Sequence, residues 1–565
     1  DLASRLSNQH IWEEDVQVLL YTWNVVSLKV PASQAICSGI FGHTNYWLSS
    51  LSIIIATAVS IPIIYLVFRA INAENFVELL FRERVLLIII RSVLLVIFVT
   101  FFSVVISYLL CHFLIKTNVP FKKFLTVFCC LPIVIPSYVY GMVFVDLLGP
   151  KGRIHKILSN SNITDYFPDL YGFWGAAIVL TFLSYPYVFL PLRAAMLRLD
   201  NSFEDASRSL GRGRLKTFFY ISLPLLFPAI RSGGILVALY TLSDFGAVAL
   251  LRYETFTWAI MTQYEAGFNR IAAAILSLVL VIIAITLLGF DSIFSGPKNY
   301  HSSSSSNRFI SIDRLNFKRW FVFFGICIVP FIGVIIPVGG LLFWLFRGLF
   351  IGEVFSFNLS LGTIFNSLYV SALASIFTLM IAMPIAFFAV KHKGKFSILL
   401  EKISYIGFGL PAIVVALSLV YFSINFAFPI YQTIFVLIFG YGVLFLPVAV
   451  SSVKTTLIQV NQNLEDASRG LGIGYWFTLW RITIPLIMPS VLAGGLLVFL
   501  LTLKELPLTM ILSPLNFDSL ALKVWGYASE AFFAEAALPA LILILLSGPA
   551  SAYLVLKRND IEESV

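Results

Sequence analysis

Twelve long apolar runs divide this chain, at roughly 47–69, 92–115, 124–148, 171–197, 228–251, 271–295, 320–347, 366–390, 402–424, 430–454, 483–512 and 535–556. Each approaches or exceeds the ~20 residues that carry a helix across the hydrocarbon core of a bilayer. Closed barrels also cross membranes, but on short strands of alternating polarity. These runs are long and continuous, so the pattern predicts helices. The stretch KNYHSSSSSNRFISIDRLNFK at 298–318 separates six runs from six. Its serine run cannot build a packed core and reads as a flexible linker.

The two sets of six are related in sequence. Residues 204–242 align with 465–503 without a gap, and half of the positions are identical. EDASRSLG at 204–211 faces EDASRGLG at 465–472, and ISLPLLFPAIRSGG at 221–234 faces ITIPLIMPSVLAGG at 482–495. An even number of spans per half makes the repeats parallel, related by an axis along the membrane normal. The expected fold is all-α transmembrane, twelve helices in two parallel six-helix repeats. The halves are 47–296 and 320–565, joined by a linker at 297–319. Residues 1–46 lack the basic start and apolar core of a signal peptide. They stand as an N-terminal extension without an assigned role.

Composition agrees with this pattern. Hydrophobic residues make up 59% of the 565 and charged residues 12%, against about one quarter charged in soluble domains. The surface therefore faces lipid. The net charge of +9 does not point to nucleic acid, because the basic residues sit in short loops between apolar runs, where they encode topology. Lys116, Lys122 and Lys123, then Lys391, His392, Lys393 and Lys395, the linker cations and Lys557–Arg558 fall on one side if both termini are cytoplasmic. Arg69, Arg82, Arg84, Lys151, Arg153 and Lys156 run against that assignment. The location expected is a bacterial inner membrane. Cys111, Cys129, Cys130 and Cys327 lie inside apolar runs and read as small buried hydrophobes.

The repeated octapeptide is the most polar feature that recurs. Ser202 three residues before Asp205, and Asn463 three before Asp466, have the form of helix starts with acids in the first turn. Gly211 and Gly472 follow about two turns later and suit a left-handed C-terminal cap. Phe203, Ala206, Ser207 and Leu210 share a face by helical spacing, as do Leu464, Ala467, Ser468 and Leu471. A two-turn helix does not stand alone, so each copy must be held by packing. Two such helices at equivalent places read as a pair of similar docking sites.

Here the residues resemble the inner-membrane subunits of binding-protein-dependent ABC importers. Their signature is E-A-A, three residues, G, nine residues, I, one residue, L-P. Asp205-Ala206-Ser207 leads to Gly211, Ile221 and Leu223-Pro224; Asp466-Ala467-Ser468 leads to Gly472, Ile482 and Ile484-Pro485. The spacing holds twice, with Asp for Glu, Ser for the second Ala, and Ile484 for Leu. The resemblance implies the type I importer fold, with Asp205, Ala206, Ser207, Gly211, Asp466, Ala467, Ser468 and Gly472, beside Glu204 and Glu465, forming two coupling helices that dock two separate ATPase subunits. ATP and Mg would then belong to those partners and this chain would hold no cofactor. Consistently, the chain carries no G-x-x-x-x-G-K-[ST] phosphate loop, KGKFS at 393–397 being the nearest string. YGFWGA at 171–176, SYPYVFLPLRAAM at 184–196, LSDFGAVALLRYETFTWAI at 242–260 and LKELPLTMILSP at 503–514 resemble the fused-permease subfamily of ferric-iron importers. That implies ferric iron delivered by a periplasmic binding protein to outer loops including 149–170, 252–270 and 513–534. Related permeases move thiamine, sulfate, phosphonate or polyamine. A secondary transporter is the alternative of another class, since it too can be built from parallel repeats, but it has no use for paired docking helices.

Charges inside apolar spans cost about 2.5–3.5 kcal/mol on insertion scales and mark functional candidates. Asp244 and Glu505 occupy matching positions, 261 residues apart. At ~1.5 Å per residue each lies most of the way to the outer face along the fifth span of its half. The pattern predicts that they meet near an outer gate, with Tyr253 or Glu254 nearby, where oxygen ligands suit a hard cation. Lys504 is expected to reach Asp244 across the axis and hold the gate shut; equally, Asp244, Lys504 and Glu505 form a static ion pair or lie among the headgroups. No fixed metal site, nucleophile or acid–base constellation is expected.

Overall fold

The computed structural model describes residues 33–71, 78, 81–150, 152–158, 170–197, 199, 202–265, 270–294, 314–351, 360–392 and 394–564. The first 32 residues, most of the linker and most of the 149–170 loop lie outside the described residues. Two compact units are distinguished, 1–57 and 58–565. The described part of the first is the start of the helix Ser33–Ile71, which runs on through the apolar stretch Leu48–Phe68. The contacts and sites described below belong to the second.

The regular secondary structure of the described residues is all helical, with no strand among them. Nine helices among them are long and apolar enough to cross a bilayer. The remaining three expected spans differ from simple rods. The third is bent by 95° between Lys122–Val134 and Ser137–Leu148. The break is at Pro136, whose ψ of 149° is extended; proline withholds its N–H and disfavours helix in the residue before it. The ninth is likewise divided, into Lys395–Tyr405 and Ala412–Phe426 around Pro411. The twelfth has an apolar portion, Phe533–Pro549, of shorter length. The count by length is therefore nine, or ten with the bent pair, where the run count alone suggests twelve.

Both halves also break the fifth span at the same place. The helix Leu223–Ser243 stops at Asp244, and Ile484–Leu503 stops at Lys504. Short helices Gly246–Leu250 and Pro507–Leu512 follow. Asp244 and Glu505 therefore lie at helix ends, not part-way along continuous spans. Non-helical backbone at membrane depth is tolerated where it faces a cavity or protein.

Glycine sets the packing between spans. A methyl group at Gly233 would come within 2.6 Å of the Val188 Cα, and one at Gly494 within 2.7 Å of the Ser452 Cβ. The fifth span of each half thus lies backbone-close against the fourth, as small residues permit. Ser222 and Thr483 each close a π-helical turn ahead of a proline, over Phe218–Ser222 and Leu479–Thr483, so the repeat is one of backbone as well as sequence.

Candidate functional site

The octapeptide copies form the helices Ser202–Ser209 and Gln462–Gly470. In the second, Asn461 is the N-terminal cap: its side-chain oxygen accepts the Asn463 N–H at 3.0 Å. The cap is thus two residues earlier than Asn463, which lies inside the helix. Both helices end as their glycines predict. Gly211 and Gly472 each have φ +80°, the left-handed conformation that costs an L-residue its Cβ contacts. The Arg212 N–H returns to the Ser207 carbonyl and the Ile473 N–H to the Ser468 carbonyl, each at 3.2 Å, the longer bond of a Schellman turn.

What fastens each helix is its first acid. Glu204 is buried and takes the Lys116 ammonium at 2.5 Å and the Ser222 hydroxyl at 2.7 Å, with Arg208 at 3.8 Å. Glu465 repeats this with Lys391 at 3.0 Å, the Thr483 hydroxyl at 2.8 Å and Arg469 at 3.6 Å. Burial pushes both carboxyls up, but hydrogen bonds from the lysine and the hydroxyl, with the two cations, outweigh it. Both are held below the usual carboxylate range. Ser207 and Thr217 share a hydrogen bond at 3.0 Å, Ser468 and Thr478 one at 2.8 Å. The inward face is therefore Glu204–Ser207 and Glu465–Ser468.

This divides the face expected from spacing. Ser207 and Ser468 turn in, while Phe203, Ala206 and Leu210, with Leu464, Ala467 and Leu471, turn out. Leu210 is 81% exposed, Leu471 80%, Phe203 56% and Leu464 48%. Asp205 and Asp466 are exposed beside them. Each helix is thus bolted down by its polar side and presents its apolar side outward, the reverse of a helix that packs for its own stability.

A second site lies between the halves. A cavity of about 420 Å³ is lined from the first half by Ser137, Tyr138, Asp244 and Phe245, and from the second by Lys504 and Glu505. Asp244 accepts the Ala247 N–H at 3.1 Å. The expected bond from Lys504 to Asp244 is not formed. The Lys504 ammonium donates instead to the Ile133 carbonyl at 2.7 Å, tying the second half to the broken third span of the first. Two buried polar atoms of this lining, Glu505 Oε1 and the Tyr138 hydroxyl, have no hydrogen-bond partner, a costly state in a protein interior. Tyr253 and Glu254 are not part of the lining. Glu254 is held by Arg84 at 2.8 Å and Arg91 at 3.0 Å, and the Tyr253 hydroxyl donates to the Arg91 carbonyl at 3.1 Å. Arg84 and Arg153, two of the cations that run against the topology assignment, are thus both ion-paired, Arg153 with buried Asp146.

Sequence reading did not single out Lys116, Lys391, Ser222 or Thr483 as parts of a site. Their signal was available: each lysine closes the second span of its half, and each hydroxyl stands 18 residues after its glutamate.

A family model described as "Binding-protein-dependent transport system inner membrane component" matches residues 104–294 and again 379–558. The chain belongs to this family. The binding-protein-dependent permease match falls once on each half, as the internal repeat requires. Among its relatives, the Fe(3+)-transport system permease protein FbpB 2 of Haemophilus influenzae is 35% identical over 508 residues, 89% of this chain and 96% of that one. The putative ferric transport system permease protein FbpB 1 of the same organism is 26% identical, over 65% of this chain and 61% of its own. The molybdenum transport permease ModB of Escherichia coli is 33% identical over 136 residues, 24% of this chain and 57% of ModB.

Proposed function

We propose that this permease is the membrane subunit of an ATP-driven importer of ferric iron, with both termini and both octapeptide helices at the cytoplasmic face. The observation that carries the reading is the pair of helices anchored by buried glutamates and exposing matched apolar stripes. Such surfaces suit the clefts of two identical ATPase subunits, which would hold the ATP and Mg. ATP binding would draw the two helices together and open the pathway outward, toward a periplasmic binding protein that delivers the metal.

The name of the relative matched over 96% of its length supports ferric iron, and the inter-half cavity suits it. Asp244 and Glu505 offer hard oxygen ligands, and the helices ending at Ser243 and Leu503 aim the negative ends of their dipoles at the same region. Lys504, bound to Ile133, holds the halves together at rest. The test is purification of the chain with its neighbouring gene products, followed by iron uptake by the Asp244→Asn, Glu505→Gln double variant. An ATPase should copurify in a 2:1 ratio, and uptake should fall at least tenfold with assembly intact. Purification without any ATPase would defeat the importer reading; full uptake by the double variant would defeat the assigned pathway.

A further inference from the structure

The second span of each half carries a contact at either end that no sequence motif marks. In the first half, the buried Ser92 hydroxyl accepts the Phe256 N–H at 3.2 Å, and Lys116 holds Glu204. In the second, the buried Ser367 hydroxyl accepts the Leu520 N–H at 2.8 Å, and Lys391 holds Glu465. Each serine grips the first N–H of a short helix, Phe256–Glu265 or Leu520–Ser529. Serine and lysine are 24 residues apart in both halves, about 36 Å of helix at 1.5 Å per residue. That exceeds the ~30 Å hydrocarbon core, so the two grips lie at opposite faces of the membrane.

The helices between them, within Glu83–Lys116 and Leu361–Lys391, are suited to carry displacement. No proline or glycine interrupts the chain from Ser92 to Lys116, and Pro384 is the only one from Ser367 to Lys391. Further bonds reinforce the far ends: Arg84 and Arg91 on Glu254, and the Asn366 amide donating to the Asp518 carbonyl at 3.2 Å.

Both lines converge on one place. In the first half, the Thr257 hydroxyl, one residue past the gripped N–H, donates to the Asp244 carbonyl at 2.5 Å. In the second, the Trp525 ring lies 5.1 Å from the Phe245 ring. Asp244 and Phe245 are neighbours in the wall of the inter-half cavity.

We propose that these two spans are transmission struts: each moves its docking helix and its far-side short helix as one body, and so couples ATPase closure to the Asp244–Phe245 wall. Lys116, Lys391, Ser92 and Ser367 are positioning residues in this scheme. The inference rests on the docking role proposed above, and the experiment separates the two. The complete complex with its ATPases is reconstituted in proteoliposomes, and ATP hydrolysis is measured without and with iron-loaded binding protein. The Ser92→Ala, Ser367→Ala variant alters groups about 36 Å from the docking surface. It should retain its ATPases and its basal hydrolysis, while stimulation by loaded binding protein and iron uptake both fall at least fivefold. Each single variant should show the same loss in lesser degree, and these decide the matter if the double variant assembles poorly. Stimulation and uptake within twofold of wild type in assembled variants would overturn the strut. Failure of the wild-type chain to bind an ATPase would instead overturn the docking role.

Discussion

Gly211 and Gly472 allow the cause of a glycine requirement to be separated from its usual confusions. Each ends its helix at φ +80°, and a Cβ added at either would meet nothing within 4 Å. Within this chain, then, substitution carries a backbone cost and no steric one. For alanine that cost is about 1–2 kcal/mol per site, a factor of roughly 5–30 in the population of the properly ended helix. Asparagine tolerates the left-handed region and should cost less, although its side chain is larger; valine should cost most. If the glycines serve backbone conformation, uptake of radioactive ferric iron by cells carrying matched double variants should rank Gly, Asn, Ala, Val. If they instead admit close approach of an ATPase surface, size governs and Asn falls below Ala. Equal expression and the amount of copurified ATPase are measured alongside. Asn clearly worse than Ala would refute the backbone argument and place a partner atom against each glycine.

Two further outcomes follow from the anchors and the packing. Because the Glu204 and Glu465 carboxyls are held below their usual range, their stabilising contribution is complete above the ordinary carboxylate pKa of about 4.3 and is lost as pH falls through the lowered value. The Glu204→Gln, Glu465→Gln complex should therefore melt lower than wild type by a constant margin from pH 6 to 8, worth roughly 1–3 kcal/mol per anchor, and the margin should shrink as pH falls below the ordinary carboxylate value and through the lowered one; a margin independent of pH would rule out the ionised pair. Gly233→Ala pushes a methyl against backbone at 2.6 Å, whereas Gly234→Ala meets only the Thr100 methyl at 3.5 Å. Overpacking of about 1–3 kcal/mol is expected for the first and near-neutrality for the second in thermal unfolding of the detergent-solubilised complex.

The contrast between what the sequence discloses and what it conceals follows the range of the interactions. Apolar runs, the internal repeat and the glycine caps are encoded by neighbouring residues, and they can be read directly. Breaks are harder. Pro136 and Pro411 mark the bends of the third and ninth spans, but Ser243 and Leu503 end their helices with no proline at the stop, so Asp244 and Glu505 pass for intramembrane charges on continuous spans. Long-range pairing is harder still. Lys504 has two acids as candidate partners and chooses a carbonyl 371 residues away, because Ile133 sits in a short 3-10 turn, Leu131–Val134, just before the bend, where the helical ladder gives way. Glu204 and Glu465 lie one residue outside the family signature, so the motif directs attention to Asp205 and Asp466, which are exposed. Spacing alone grouped Ser207 with Phe203 and Leu210, since a hydroxyl counts as small and neutral; Thr217 and the buried glutamate pull it inward and leave the apolar side free. An apolar face left in water on a short helix is unstable in isolation, and the chain tolerates two of them by tying each down through a buried glutamate and a half-buried lysine. That arrangement makes physical sense only if something else covers the stripe, which is why the anchors, more than the signature itself, support a docking role.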